Sequence, residues 1–332
     1  MLLTGHTGFK GAWAARMLAA LGARVTGVAL DPEPGPGAFD LLGAGRGLIR
    51  DMRGDLARPE TLAAGDVPEG GIVLHLAAQP IVSVGFRDPV RTWDSNVTGT
   101  MRVMQALRGS RAAAAVMVTS DKVYRSPGPG RPYREEDSLG GSDPYSASKA
   151  ACEGLVACWR RSFPDLPPVA TARAGNVIGG GDFGRDRLIP DLVRAEAAGR
   201  PLALRNPAAT RPFQHVLDVV AGYLLLAEDL ASATAPPALN FGPAEAEITV
   251  AQLLMLWQAA TGRVLPWEAL TPAALPEAPR LALDSGLARS ALNWTPRFDT
   301  ASAVAETARW YDLWRQGGDT AAAADAAMST FL

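Results

Sequence analysis

Apolar positions along the chain alternate between strand-like and helix-like spacing. The opening Met1-Leu2-Leu3-Thr4 is an apolar β-run, followed by a glycine loop and a helical stretch from about Ala12 to Leu21. Arg24–Leu30 reads as a second strand, and strand-like runs return at Gly71–Leu76, Ala115–Thr119 and Pro168–Arg173. Helical segments around Val90–Leu107 and Tyr145–Phe163 separate them. Such alternation predicts an α/β architecture, a doubly wound parallel sheet of Rossmann type with helices on both faces. The first strand begins within the run itself, so the native chain is expected to start a few residues earlier.

From about Gly175 the texture changes to Gly/Pro/Arg-rich loops with isolated helices at Leu188–Ala198 and Val216–Leu230. Another helical block, Val250–Thr261, precedes a proline-rich stretch, and the Ala-rich tail after Gly317 reads as a weakly packed helix or as disorder. The expected organisation is a dinucleotide-binding domain over 1–174, with 213–241 returning to it, and a smaller substrate-binding region over 175–332. No internal repeat is apparent.

A chain of 332 residues can bury a sizeable core. The net charge of −2, with both signs interspersed, offers no field for nucleic acid or anionic lipid, so small molecules or copies of the chain are the expected partners. The longest apolar runs, such as Ala112–Val118 and Val219–Ala227, fall short of the ~18–20 residues of a membrane span. The N-terminus lacks a basic stretch followed by an apolar segment, so no secretory signal is visible and the cytoplasm is the expected compartment. Cys152 and Cys158 sit six apart in one predicted helix, on different faces, and read as packed free thiols.

Basic-residue usage changes the picture more. Of 32 Lys plus Arg, only Lys10, Lys122 and Lys149 are lysines. Only lysine is a compact ammonium that can give up its proton near neutral pH, so a chain this biased to Arg is expected to keep Lys where Arg would fail.

Gly5-His6-Thr7-Gly8-Phe9-Lys10-Gly11 spaces glycines by three, directly after a strand and before a helix. There, bare backbone amides can approach a pyrophosphate at the positive end of the helix. An acid at the end of the second strand would bind the adenosine ribose; Asp31 is the candidate, its other reading being a turn residue before Pro32. Asp55 is a similar candidate at the adenine pocket.

Tyr145 and Lys149 lie four apart, on one helical face about 6 Å from each other. The ammonium is expected to lower the pKa of the phenol so that it accepts a proton. With five tyrosines in the chain, a chance pair at this spacing is expected only about 0.05 times. Thr119-Ser120-Asp121-Lys122 follows an apolar strand and should sit at its carboxyl end, where ligands bind in open α/β sheets. Hydroxyl, acid and amine side by side can form a proton-transfer set there.

Of the histidines, His6 lies in the glycine loop, His75 ends a strand and His215 lies in Arg-Pro-Phe-Gln-His-Val; no metal-ligand spacing links them. Arg187, Arg205, Arg211 and Arg280 supply cations for a substrate diphosphate.

Together these segments resemble the extended short-chain dehydrogenase/reductases, and among them the nucleotide-sugar 4,6-dehydratases of the CDP-glucose type. The resemblance runs to about Phe241. It is carried by Thr-Gly-His-Thr-Gly-Phe-Lys-Gly, His-Leu-Ala-Ala-Gln-Pro, Asn96-Val97-Thr98-Gly99-Thr100, Thr-Ser-Asp-Lys, Asp143-Pro144-Tyr145 with Lys149, Arg173-Ala174-Gly175-Asn176-Val177-Ile178-Gly179-Gly180-Gly181-Asp182, Arg187-Leu188-Ile189-Pro190 and Arg-Pro-Phe-Gln-His-Val. Ser-Asp-Lys stands where the dTDP- and GDP-sugar dehydratases have Asp-Glu. The sequence departs from the pattern at Ile81–Phe86, where an Arg and a Tyr are expected, and at Val123, where a Cys is usual.

The resemblance implies a tightly held NAD, a nucleotide-sugar substrate, a homodimer paired through two long helices, and no metal. Cofactor contacts would come from Gly5, Thr7, Gly8, Phe9, Lys10, Gly11, Asp31, Asp55, Leu56, Leu76, Ala77, Ala78, Asn96, Thr119, Tyr145 and Lys149. Substrate contacts would come from Gln79, Asn176, Arg187, Leu188, Arg205, Arg211, His215 and Arg280. Tyr145 would take the sugar 4-hydroxyl proton while Ser120 holds the forming carbonyl. Lys122 would take the C5 proton and Asp121 would protonate the departing C6 hydroxyl, giving a 4-keto-6-deoxy sugar. A 4-epimerase or decarboxylase of the same family shares the loop and the Tyr/Lys pair but needs no Asp121-Lys122; a non-catalytic NAD sensor needs neither.

Overall fold

The computed structural model describes residues 1–126, 128, 130–232, 235–270 and 280–332. Seven parallel strands form its central sheet: β1 (Leu2–Thr4), β2 (Val25–Ala29), β3 (Leu48–Arg53), β4 (Ile72–His75), β5 (Ala114–Val118), β6 (Val169–Ala174) and β7 (Ala238–Phe241). Their spatial order is β7-β6-β5-β4-β1-β2-β3, so the order reverses beside β1, where β4 pairs on its other side. This is the Rossmann-type arrangement expected from the alternation of strands and helices. Every residue of β5 and β6 is buried, because helices cover both faces of the sheet there.

Two strands escape the sequence pattern. β3, Leu-Ile-Arg-Asp-Met-Arg, is a largely exposed edge strand, with Ile49 58% exposed, so it carries no apolar alternation. β7 is only four residues long and follows the Val216–Ala231 helix, which packs against β5 and β6 from below.

The helix expected over Val90–Leu107 forms: it runs unbroken from Pro89 to Leu107 with a π-turn at Asp94–Thr98 inside it, and a separate short helix, Val82–Arg87, precedes it. Asp88 caps the Pro89 segment by accepting from Arg91 N at 3.0 Å. The wide turn follows from Asn96. Its carbonyl accepts from Thr100 Oγ1 at 2.6 Å and Cys152 Sγ at 3.2 Å, while its side chain holds Gln79 and Ser148.

The Ala-rich tail is an ordered helix, Thr320–Met328, in which Ala324 and Met328 are fully buried. Asp319 accepts from Ala321 N and Ala322 N at its start, and Thr320 Oγ1 donates to the Leu41 carbonyl at 2.8 Å. Small side chains let this helix approach closely, a packing mode that leaves no bulky apolar stripe. Of the two free cysteines, Cys152 is buried and Cys158 is exposed, which corrects the expectation that both are packed. Among the described residues no helix is long and apolar enough to cross a membrane.

After β6 the chain builds three two-stranded ribbons above the carboxyl edge of the sheet. Val177–Ile178 pairs with Gln214–His215, Thr210–Arg211 with Ile248–Thr249, and Leu202–Leu204 with Trp267–Ala269.

A buried charge network joins these parts. Glu153, 3% exposed on the Pro144–Ser162 helix, accepts from Arg173 at 2.8 Å, Thr119 Oγ1 at 2.5 Å and Thr171 Oγ1 at 2.8 Å. Arg173 also donates to Tyr124 Oη at 2.8 Å and to the Glu135 carbonyl, and Tyr124 donates on to Asn240 of β7 at 2.7 Å. Removing one member of a buried ion pair strands the other. Glu153→Ala is therefore expected to cost about 3–5 kcal/mol in urea unfolding, and Glu153→Gln, which keeps hydrogen-bonding capacity, clearly less.

Candidate active site

The glycine loop at the end of β1 is shaped by close contacts. Gly5 has φ +74°, and a Cβ on it would stand 2.6 Å from Ala77 N; one on Gly11 would stand 2.0 Å from the Gly5 carbonyl oxygen. Gly8 caps the Phe9–Ala20 helix with no side-chain hydrogen bond, and the nearest atom to a Cβ there is 3.4 Å away. The first-turn amides are thus left for an external anion, which fits a dinucleotide pyrophosphate. Thr7 Oγ1 donates to the Leu30 carbonyl at 3.0 Å, fixing the loop to the end of β2, and Asp31 lies exposed just beyond it.

Other expected cofactor residues serve the scaffold. Asp55 Oδ1 accepts from Ala57 N at 2.9 Å within its own turn, and Leu56 is buried beneath Gly99. The Thr119 hydroxyl is turned to Glu153. Leu76, Ala77 and Ala78 follow β4, and Asn96, 1% exposed, ties that segment to the Pro144–Ser162 helix through Gln79 and Ser148. His75 braces Thr4 at 2.7 Å and Thr100 at 3.2 Å, and burial pushes its pKa down to about 3. His6 is likewise enclosed, its Nε2 2.9 Å from Asp51 Oδ1, and burial lowers its pKa.

Ser120, Asp121 and Lys122 emerge at the carboxyl end of β5, facing Tyr145. Ser120 Oγ donates to Asp121 Oδ1 at 3.1 Å and accepts from Lys122 N at 3.2 Å; burial raises the Tyr145 pKa and Ser120 acts against that rise. Burial raises the Asp121 pKa; Lys122, Ser120, Arg211 and Lys10 oppose it. Asp121 Oδ2 is buried without a hydrogen-bond partner, 3.3 Å from where a Cβ of Gly175 would stand.

Burial, rather than the Lys149 ammonium, dominates the Tyr145 phenol. The Lys149 amine donates to the Val118 carbonyl at 3.1 Å, and burial pushes the phenol up to about 12, with Ser120 and Arg187 acting in the opposite direction. The glycine-loop lysine also differs from expectation, because its side chain reaches the interior of this cluster. Lys10 Nζ sits 5.9 Å from the centre of the Tyr223 ring. Burial, then repulsion from Lys149 and Arg187, brings its pKa to about 7 against the pull of Asp121 and Asp182.

The second region supplies Arg187, whose NH1 lies 2.9 Å from both carboxylate oxygens of Asp182, and buried Arg211, close enough to Asp121 to lower its pKa. Leu188 opens the Leu188–Ala198 helix, and the Asn176 carbonyl accepts from Gln214 N at 3.0 Å. Arg205 holds the Asp186 carbonyl at 3.1 Å. Arg280 is exposed, paired with Glu247 and donating to the Gly130 carbonyl at 2.8 Å.

Two expected substrate contacts are corrected. His215 is 1% exposed, caps the Val216–Ala231 helix through Leu217 N, and packs 4.4 Å from Phe298, so it is a neutral support whose pKa burial lowers to about 3. The Gln79 side chain spends both ends internally, donating to Thr92 Oγ1 at 2.9 Å and accepting from Ile81 N at 2.6 Å. Sequence reasoning missed Glu153, Asp182 and Tyr223. Glu153 carried a signal as an acid one turn beyond Lys149, and Asp182 as the acid that closes the glycine-rich motif after β6.

Sheet order, glycine loop and the Ser120–Tyr145 arrangement define a dinucleotide-dependent enzyme of the short-chain dehydrogenase/reductase type. The model of the NAD dependent epimerase/dehydratase family matches residues 1–242, and the chain belongs to that family and uses NAD. It is 35% identical over 337 aligned residues to the CDP-glucose 4,6-dehydratase of Salmonella typhimurium, covering 96% of this chain and 92% of that one. A UDP-glucose 4-epimerase of Erwinia amylovora is 24% identical over 74% of this chain and 77% of its own. Among solved structures, dTDP-glucose 4,6-dehydratase from Streptomyces venezuelae shares the fold with a TM-score of 0.81 at 24% identity, covering 96% of this chain and 98% of that one.

With only three lysines, reductive 13C-methylation gives few amine signals to follow by NMR. One resonance is expected to titrate near pH 7 and to vanish in Lys10→Met.

Proposed function

We propose that the protein is a nucleotide-sugar 4,6-dehydratase that takes CDP-glucose to its 4-keto-6-deoxy derivative and water. The observation that carries this reading is the buried Asp121 beside Lys122, with its free Oδ2 in the same cluster as Tyr145. An epimerase or decarboxylase has no use for an acid and an amine at this point, whereas loss of the C6 oxygen requires both.

NAD held at the glycine loop would supply the acceptor for the C4 electron pair and its return to C6. Tyr145 takes the proton of the 4-hydroxyl, and Ser120 holds the carbonyl that forms. The ketone acidifies C5, whose proton Lys122 takes. Asp121, whose pKa burial raises, gives its proton to the departing C6 hydroxyl. Arg187 and Arg211 hold the diphosphate with forked donors. Gln79, Asn96 and His215 support these groups from behind.

The reading includes a dinucleotide-binding domain over 1–174, joined by 213–241, and a substrate-binding region in 175–332. It includes a homodimer in the cytoplasm, paired through the segments Val90–Leu107 and Ala147–Phe163. The exposed Trp93 and Val90, 46% and 71% accessible within the first segment, favour a covered face there.

Incubation with CDP-glucose is expected to give a product lighter by about one water in mass spectrometry. An isomer of unchanged mass would identify an epimerase instead. Lys122→Arg is expected to lower turnover at least about 100-fold, because a guanidinium stays charged and cannot accept the C5 proton; full turnover by that variant would remove Lys122 from the mechanism.

A further inference from the structure

Gly175 directly follows β6, where the chain leaves the sheet for the ribbons above it, and its φ lies outside the left-handed range that favours glycine. Backbone conformation therefore does not call for a glycine, but close packing does. A Cβ on Gly175 would stand 2.5 Å from Pro212 Cγ, 3.2 Å from the Pro212 carbonyl oxygen and 3.3 Å from Asp121 Oδ2. Carbon atoms in contact lie ~3.5–4.0 Å apart, so the proline ring occupies the place a side chain would take.

Both segments of this contact are pinned. The Asn176 carbonyl, next to Gly175, accepts from Gln214 N at 3.0 Å, and Val177–Ile178 pairs with Gln214–His215. Pro212 is held between Arg211, paired with Ile248, and Phe213, 2% exposed. The ring brings carbon to this point and, being proline, no amide proton. Asp121 Oδ2 borders the same spot, buried and without a hydrogen-bond partner, while Oδ1 accepts from Ser120 Oγ at 3.1 Å.

We propose that Gly175 and Pro212 are positioning residues that seal Asp121: the bare Cα admits the proline ring, and the two together keep water from Oδ2 on that side. Protonation of the departing C6 oxygen by this carboxyl rests on the dehydratase reading, whereas the seal does not.

Removal from water disfavours the charged form of a carboxyl. Burial is the largest influence on Asp121 and raises its pKa, while Lys122 on its own turn, the Ser120 hydroxyl, Arg211 beside Pro212 and Lys10 from the Phe9–Ala20 helix pull it down. The phenols of Tyr145 and Tyr133 also feel its charge. Among so many cations, the raised pKa depends on keeping Oδ2 covered.

Aspartate 13Cγ NMR follows Asp121 without substrate, its signal identified by its absence in Asp121→Asn. Gly175→Ala drives the ring away and Pro212→Ala removes it, so in each variant water reaches Oδ2 and the ionised form gains. Both are expected to titrate Asp121 at least about one pH unit lower than wild type. In the double variant the new methyl fills the place the ring has left, and the titration is expected to move back toward wild type, where independent effects would add. Initial rates with CDP-glucose should follow the same order. A group needed in its protonated form fails at lower pH once its pKa falls, so kcat of each single variant drops about 10-fold at a fixed alkaline pH, with the Kd of CDP within about 3-fold of wild type.

Pro212→Ala introduces no clash, so it decides the matter where Gly175→Ala does not fold. An Asp121 titration unmoved in Pro212→Ala, or single shifts that simply add in the double variant, would overturn the seal. Shifted titrations with no dehydrated product from the wild type are a different result: the seal stands and the dehydratase reading fails.

Discussion

The site depends on one buried ion pair. Glu153 lies one turn beyond Lys149 on the helix that carries Tyr145, and its carboxylate is shared among Arg173 of β6, Thr171 of β6 and Thr119 at the end of β5. Two charges at 3% and 5% side-chain exposure pay a large desolvation cost, offset by their mutual contact and by the hydroxyls and carbonyl bonded to them, although Arg173 Nε is left without a partner. The same contacts fix the helix face against the strand ends. Ser120, Asp121 and Lys122 therefore emerge opposite Tyr145, and Tyr124 and Asn240 carry the link into the capping region.

Within that frame the electrostatics are one-sided. Lys10, Lys122, Lys149, Arg187 and Arg211 gather around Asp121 and Asp182, an excess of cations suited to a nucleoside diphosphate. Burial works against this field: it raises Asp121, lowers Lys149 and brings Lys10 to about 7. A carboxyl whose pKa is raised among cations is suited to serve as an acid, and an amine poised near neutrality adds less charge than its neighbours.

Much of this was legible in the chain because the chemistry is local. Tyr145 and Lys149 share a helix face, Ser120 to Lys122 are consecutive, and the glycine loop is a single turn; the scarcity of lysine marked all three. What was not legible depends on tertiary packing. Asn96 opens its helix because Cys152 and Thr100 compete for its carbonyl, a contact spanning 56 positions. His215 and Gln79 looked like ligands by motif, yet their polar atoms are consumed by Leu217, Thr92 and Ile81. The tail packs through alanines, and β3 lies at an exposed edge, so neither writes an apolar stripe. The Tyr145–Lys149 spacing was read correctly as one face, but which group the amine addresses is decided by the Val118 carbonyl.

The central claim is that the C4 electron pair is stored and returned to C6 of the same sugar while the C6 oxygen leaves. Turnover of CDP-glucose carrying deuterium at C4 addresses it directly, with the product's label located by NMR. The account predicts deuterium in the C6 methyl group of the 4-keto product. Deuterium found at C4 of an isomerised sugar, or lost to solvent, would contradict it.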